Sequence, residues 1–264
     1  MRTALLGSKG TTLDLLHQLE KSATVSFDKV FSIPRTVAEK NEVAYYRGEG
    51  IRDFCRSRGI PHHMTETYTL KTENDAAALT SIDLLVVIGW ERLLPAQILN
   101  GLGFGAAGMH GSAFGLPRGR GRSPMNWALI TGERKFVTSL FKYEPGMDDG
   151  PIIGTKIFDI NPHDDIARLH AKNRICMGAL LEENAPMIAS GTVTLSPQPD
   201  TTPTFYPKRT RGDGRIDWHM STEDICRLVR AVAAPYPGAL AYLHGREIVI
   251  NAAAPFDSGL FTTA

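Results

Sequence analysis

Two residues of this 264-residue chain carry side chains suited to proton transfer and sit in stretches that read as turns. They are His110, in Gly108-Met109-His110-Gly111-Ser112, and Asp148, in Glu144-Pro145-Gly146-Met147-Asp148-Asp149-Gly150-Pro151. A carboxylate within hydrogen-bond reach of an imidazole orients the ring and stabilises its charged form, and such a pair moves protons during a reaction. Their spacing alone carries little weight, because His and Asp also serve as turn formers and caps. A third group is cationic. Arg118, Arg120 and Arg122 are closely spaced and read either as a solvated loop or as guanidinium forks for the phosphate of an anionic substrate. The adjacent His62 and His63 fall on a short strand and point to opposite faces, so they do not share a metal. Cys55, Cys176 and Cys226 lack metal-ligand spacing and read as reduced thiols. No metal site is expected.

These groups need a scaffold, and the apolar pattern describes an α/β one. Residues 3–6 form a short apolar strand that stops at Gly7, and Thr11 or Thr12 can cap a helix carrying Leu13, Leu16 and Leu19. The intervening Gly7-Ser8-Lys9-Gly10 is not GxGxxG, so it marks a tight turn and no dinucleotide site. Strands are expected at 29–33 and 60–64, with a helix over 50–58 between them. The run Leu84-Leu85-Val86-Val87-Ile88 is apolar on both faces, as a central parallel strand should be, and ends at Gly89-Trp90. Ligands of α/β folds bind just past such strands. Glycine is dense from Gly101 to Gly121, which reads as backbone that turns sharply or approaches a ligand.

A helix over 124–130 follows, then strands at 136–143 and 151–160. Asp164 or Asp165 caps a helix with Ile166, Leu169, Cys176, Met177 and Leu180 on one stripe. Composition changes at Ser196-Pro197-Gln198-Pro199. The expected organisation is a catalytic domain over 1–195, a linker over 196–207 and a small α+β domain over 208–264. In that last domain Ser221 caps a helix bearing Ile225, Leu228, Val229 and Val232, and His244-Gly245 turns a hairpin. So small a unit builds little core alone. Its apolar Ile248-Val249-Ile250 therefore makes a homodimer the oligomeric expectation.

The bulk properties narrow the function classes. Lys plus Arg total 29 against 28 for Asp plus Glu, a formal net charge of +1, so nonspecific grip on a nucleic acid is not expected. No apolar run is long enough to span a bilayer, and the first residues lack a signal-peptide core. The expected compartment is the cytoplasm.

The order of motifs adds a more specific reading. Gly89-Trp90-Glu91-Arg92-Leu93-Leu94-Pro95 comes first. Gly108-Met109-His110-Gly111-Ser112, Leu116-Pro117 and Arg120-Gly121-Arg122-Ser123-Pro124-Met125-Asn126-Trp127-Ala128 follow, and then the 144–153 stretch. Together they resemble the formyltransferases that use N10-formyltetrahydrofolate. Tyr206-Pro207-Lys208-Arg209 and Pro235-Tyr236-Pro237-Gly238 resemble the start of the C-terminal domain in the tRNA and sugar branches. The resemblance implies a Rossmann-like N-terminal domain with a mostly parallel sheet. It implies that Trp90, Arg92, Leu93, Leu94, Gly146, Met147 and Asp148 line the folate site. It further implies that His110, as imidazolium, stabilises the oxyanion while Asp148 sets its protonation state and helps move the amine proton through a water. Ser112, Arg118, Arg120, Arg122 and Asn126 are the residues expected to face the substrate.

One position departs from the family. An Asn stands there two residues before the His and hydrogen-bonds the formyl oxygen; here it is Gly108, which has no side-chain donor. Loss of one oxyanion donor costs ~3 kcal/mol, or a hundredfold or more in rate. Three readings stay open. Another group substitutes, with Asn126 and Ser112 the nearest polar candidates; a water or backbone N–H fills the gap; or the chain no longer catalyses and binds folate or nucleotide only. The segment from His110 to Pro117 is also two residues longer than the usual form. The short C-terminal part and the balanced charge argue against tRNA as substrate, and the amino group of a nucleotide-linked sugar fits best, with methionyl-tRNA or another small amine as the alternative.

Overall fold

A computed structural model describes residues 1–256; residues 257–264, the end of the expected 208–264 domain, lie outside the described residues. The chain opens with β1 (Thr3–Leu6), α1 (Gly10–Leu19), β2 (Lys29–Ser32), α2 (Arg35–Lys40), α3 (Gly48–Arg58) and β3 (His62–Met64). It continues with α4 (Glu73–Ala78), β4 (Leu84–Val87), α5 (Ala96–Gly101), β5 (Gly105–Ser112), β6 (Arg120–Gly121) and α6 (Pro124–Ile130). Next come β7 (Lys135–Lys142), β8 (Ile152–Asp159) and α7 (Ile166–Ser190). The last elements are β9 (Phe205–Tyr206), α8 (Thr222–Val232), β10 (Ala239–Leu243) and β11 (Arg246–Ile250).

Seven strands share one sheet in the order β3-β2-β1-β4-β5-β7-β8. The pairs β2–β3, β1–β2, β1–β4 and β4–β5 are parallel, so the sheet is mostly parallel as expected. Chain order reverses between β1 and β4, the kind of switch point at which open α/β sheets bind ligands.

By internal packing the chain divides into two units. The first comprises Met1–His110, Thr138–Lys156 and Arg174–Thr202; the second comprises Gly111–Val137, Ile157–Asn173 and the residues from Pro203 on. In the first, alternation along each strand feeds two cores. Leu5, Leu84 and Val86 point to one face and pack with Leu15, Leu16 and Leu19 of α1, Ile51 and Phe54 of α3, and Met177, Leu180 and Leu181 of α7. Ala4, Leu6, Leu85 and Val87 point to the other and pack with Phe31, Ile33, Trp90, Leu94 and Ile98. With both faces covered, β4 has to be apolar throughout, which is why it is the plainest strand in the sequence. The second unit is built on Leu129, Ile166, Leu169, Ile216, Leu228, Val229, Val232, Ala239 and Ala241.

Several expectations change in detail. The cap of α1 is Lys9, two or three residues before Thr11 or Thr12. Thr12 is fully buried instead, and its hydroxyl donates to the Ile88 carbonyl at 2.7 Å while accepting from the Lys9 amide at 3.3 Å. It thereby ties the turn after β1 to the end of β4. Asp165 caps α7, accepting from the Arg168 amide at 2.8 Å, and Ser221 caps α8 as expected. The short helices α2, α4 and α5 were not visible in the apolar pattern, since each has six residues and lacks a full amphipathic repeat.

Replacing Thr12 with Val removes its donor at nearly constant volume and leaves the Ile88 carbonyl buried without it. Urea denaturation should read a loss of about 1–3 kcal/mol, and an unshifted midpoint would remove Thr12 from this role.

Candidate active site

His110 lies inside β5 and not in a turn. Glycines misled the sequence reading, because in this strand they mark close approach and not chain reversal. A Cβ at Gly108 would lie 2.2 Å from Cε1 of Tyr143, and one at Gly111 would lie 2.3 Å from Cε1 of Phe136. Gly108 pairs with Val87, the last residue of β4, so His110 stands just past the carboxyl edge of that strand. It is buried, and its Nδ1 is 3.4 Å from Oδ2 of Asp148. The two residues singled out from sequence are therefore brought together.

Asp148 sits in the loop between β7 and β8 with φ at 50°, a left-handed conformation uncommon outside glycine though better tolerated by Asp, and the loop around it is constrained. The constraint is visible. The Lys142 amide donates to the Pro151 carbonyl at 2.9 Å and closes the base of the loop. A Cβ at Gly150 would lie 1.7 Å from the Lys142 carbonyl oxygen, so that position admits no side chain. Gln198 then donates from Nε2 to the carbonyls of Asp148 and Gly150 at 2.7 and 2.8 Å. No sequence signal marked Gln198, which lies in the Pro-rich stretch after α7. Met147 is exposed beside Asp148.

The loop after β4 carries the other expected contacts. Trp90 is buried and meets Tyr68 edge-on with ring centroids 4.6 Å apart. The Tyr68 hydroxyl accepts from the Glu91 amide at 3.0 Å, and the Arg92 guanidinium lies 4.8 Å from the Tyr68 ring centroid. Arg92 also donates to Oδ1 of Asn41 at 3.3 Å. Lys9 and Glu91 form a largely buried ion pair between the turn after β1 and this loop. Leu94 is held in the core while Leu93 is 56% exposed. The indole Nε1 of Trp90 is buried and has no acceptor among the described residues. Such an orphaned donor, beside an exposed Leu and a fixed guanidinium, suits a flat heteroaromatic ligand with acceptor atoms.

The remaining expected residues lie in the second unit. Ser112 is buried and already engaged: its hydroxyl donates to the Arg118 carbonyl at 2.7 Å and accepts from the Phe114 amide at 3.3 Å. Asn126 is also buried, and its Nδ2 donates to the Ala231 carbonyl at 2.7 Å. Both sequence candidates for a replacement donor are thus committed to backbone groups. Arg118 is exposed, with its guanidinium 4.4 Å from the Phe114 ring centroid. Arg120 and Arg122 are half-buried and lie on and just after β6, which pairs with β9. The second unit also holds a cleft of about 420 Å³ lined in part by Arg134, His163, Cys226, Arg227 and Arg230; none of the expected site residues lines it.

In the first unit, His62 pairs with the Ser32 hydroxyl at 2.8 Å, and burial pushes its imidazole down to about 4. Among the described residues no group of three His, Cys, Asp or Glu side chains is placed to hold a metal ion.

The formyl transferase family profile matches residues 3–181, and the profile for the formyl transferase C-terminal domain matches residues 208–259. Solved structures share the fold. A sugar N-formyltransferase from Shewanella sp. has a TM-score of 0.71 at 14% identity, over 97% of this chain and 98% of that one. An N-formyltransferase from Helicobacter canadensis, in complex with folinic acid and dTDP-3-aminofucose, has 0.69 at 16% identity, over 94% and 86%. HypX from Aquifex aeolicus, in complex with tetrahydrofolic acid, has 0.66 at 18% identity over 94% of this chain, which spans 36% of that one.

Gln198 is the tie that sequence reading missed, and it can be tested alone. Gln198→Leu should speed hydrogen exchange at the amides of 147–150 by about tenfold, the equivalent of one or two modest hydrogen bonds. Unchanged protection there would mean that the loop is held by its own turns.

Proposed function

The chain belongs to the formyl transferase family, and on that premise we propose that it transfers a formyl group from N10-formyltetrahydrofolate to the primary amine of a nucleotide-linked amino sugar. The observation that carries this reading is the His110–Asp148 pair, 3.4 Å apart and inside the matched segment 3–181. The folate site fits the residues present. The orphaned Trp90 indole N–H, the exposed Leu93, the peptide groups near Arg92 and Leu94, and the 146–148 turn offer an apolar wall with donors and acceptors for a pterin.

Bound N10-formyltetrahydrofolate supplies an electrophilic carbon: the amine nitrogen bonds to it, the bond from carbon to N10 breaks, and N10 takes a proton. His110 donates a hydrogen bond to the formyl oxygen as negative charge gathers there. Asp148 fixes the imidazole through Nδ1 and, through a water, accepts and passes on the proton that the amine loses. Burial of His110 strengthens this donation, because charge is less screened away from water.

Three observations support a nucleotide sugar over a polyanion. The net charge is only +1. The likeness to the Shewanella sugar N-formyltransferase runs over nearly the full length of both chains. Arg118, Arg120 and Arg122 of the second unit have the guanidinium chemistry that a diphosphate needs. Among the described residues no helix is long and apolar enough to cross a membrane, and a folate and nucleotide-sugar chemistry belongs in the cytoplasm.

The test is a transfer assay with the formyl donor and a panel of amino-sugar nucleotides, read by mass spectrometry for a product heavier by one formyl group. One member of the panel should be formylated. His110→Ala and Asp148→Ala should each lower kcat by roughly a thousandfold. Wild-type turnover in either variant would contradict the assigned roles, and donor binding without transfer to any nucleotide sugar would move the acceptor to another amine.

A further inference from the structure

The position two residues before His110 lacks a side chain, and something else fills its space. Residues 108 and 110 of β5 point to the same face of the sheet, about 6.6 Å apart along the strand. On that face, a Cβ at Gly108 would lie 2.2 Å from Cε1, 2.6 Å from Oη and 2.7 Å from Cζ of Tyr143. The phenol therefore stands where the side chain of residue 108 would begin, and its hydroxyl is beside that point.

The ring is well fixed. The Tyr143 amide donates to the Ala106 carbonyl at 2.8 Å, and the ring stacks on Phe141 with centroids 5.2 Å apart and planes at 22°. Phe141 is itself buried. Tyr143 is half-buried, and its hydroxyl makes no hydrogen bond among the described residues. The two polar residues closest in sequence that could have served instead, Ser112 and Asn126, are bound to backbone carbonyls.

We propose that the Tyr143 hydroxyl is the second hydrogen-bond donor to the formyl oxygen, acting beside His110 in the space left by Gly108. The proposal rests on the formyl-transfer reading above. Two donors one strand repeat apart on a single face can converge on one oxygen, each at an ordinary hydrogen-bond length. A phenol does this well provided it stays protonated. Burial and the nearby Asp148 charge both push the Tyr143 phenol well above the usual tyrosine range, so it remains a donor across neutral pH. Gly108 and Tyr143 form one device: the glycine admits the ring, and the ring carries the donor. Neither residue reveals it alone.

The device predicts a swap. Tyr143→Phe keeps the ring and removes only the oxygen, so it should melt close to wild type and lower kcat by about a hundredfold, with a much smaller change in the KM for the amine. Gly108→Asn alone should melt well below the wild type, because its Cβ meets the ring. Gly108→Asn with Tyr143→Ala should regain melting temperature and exceed the turnover of Tyr143→Ala alone, because a carboxamide then occupies the vacated space. A pH titration of phenol absorbance, wild type minus Tyr143→Phe, should show a tyrosine that ionises later than the rest. Wild-type kcat in Tyr143→Phe would overturn the assignment while leaving the transferase reading intact. Equal melting of Gly108→Asn and wild type would overturn the shared space. A wild-type protein that transfers to no amine overturns the reading itself, and this assignment with it.

Discussion

A strand can run flush against a neighbour's aromatic ring only where it has no Cβ, and β5 meets that condition at Gly108. Its backbone sits close enough to Tyr143 that a single methyl group would fall 2.2 Å from the ring. That closeness governs the site. Parallel pairing with β4 makes the 105–112 stretch a strand despite its glycines, and places His110 on a strand inside the sheet and not on a loop. The close approach at Gly108 brings the end of β7 beside the reacting face, where the loop carrying Asp148 begins. A histidine on a central strand has few alternative positions, and such preorganisation suits the donor role proposed for His110.

The partner of His110 is held by a different kind of constraint. Asp148 belongs to a loop, and loops are mobile unless something ties them. Here the tie is distributed. The left-handed backbone of Asp148, the side-chain-free position at Gly150 and the two hydrogen bonds from Gln198 each remove freedom from the same few residues. Freedom removed on folding does not have to be removed again on binding, which is what the role proposed for Asp148 needs. The loop after β4 is fixed by comparable means, through the Tyr68 hydroxyl, the Trp90 and Tyr68 rings and the Lys9–Glu91 ion pair. The part left unsatisfied, the Trp90 indole N–H, faces no protein acceptor among the described residues.

Much of this was legible in the sequence, for physical reasons that can be named. The run 84–88 is apolar on every residue because both faces of a parallel strand are covered, and its short length between turn residues marks it as a strand. Ser221 and Asp165 were readable as caps because a helix start has a fixed chemical need. His110 and Asp148 were found through the order of motifs around them, since their separation along the chain says nothing about separation in space. The differences at the site share one origin. Glycine has two uses, permitting a turn and permitting close approach, and only the neighbouring side chain tells them apart. Phe136 and Tyr143 are such neighbours, and their distance from β5 is a tertiary fact. Gln198 was invisible for the same reason, because a glutamine in a Pro-rich stretch carries no signal of the carbonyls it will meet. Tyr143 shows in the sequence only as the end of the strand expected at 136–143, and nothing in the absent side chain at Gly108 says which residue fills its space.

The central claim is that the formyl oxygen is gripped by donors on the His110 face of β5 before any amine arrives. Isotope-edited infrared spectroscopy reads this directly, through the carbonyl stretch of a formyl-labelled donor bound to the protein without acceptor. The stretch should fall to lower frequency in the wild type than in water, and recover part of that shift in His110→Ala and in Tyr143→Phe. A bound donor whose carbonyl frequency is the same in all three proteins would contradict the account.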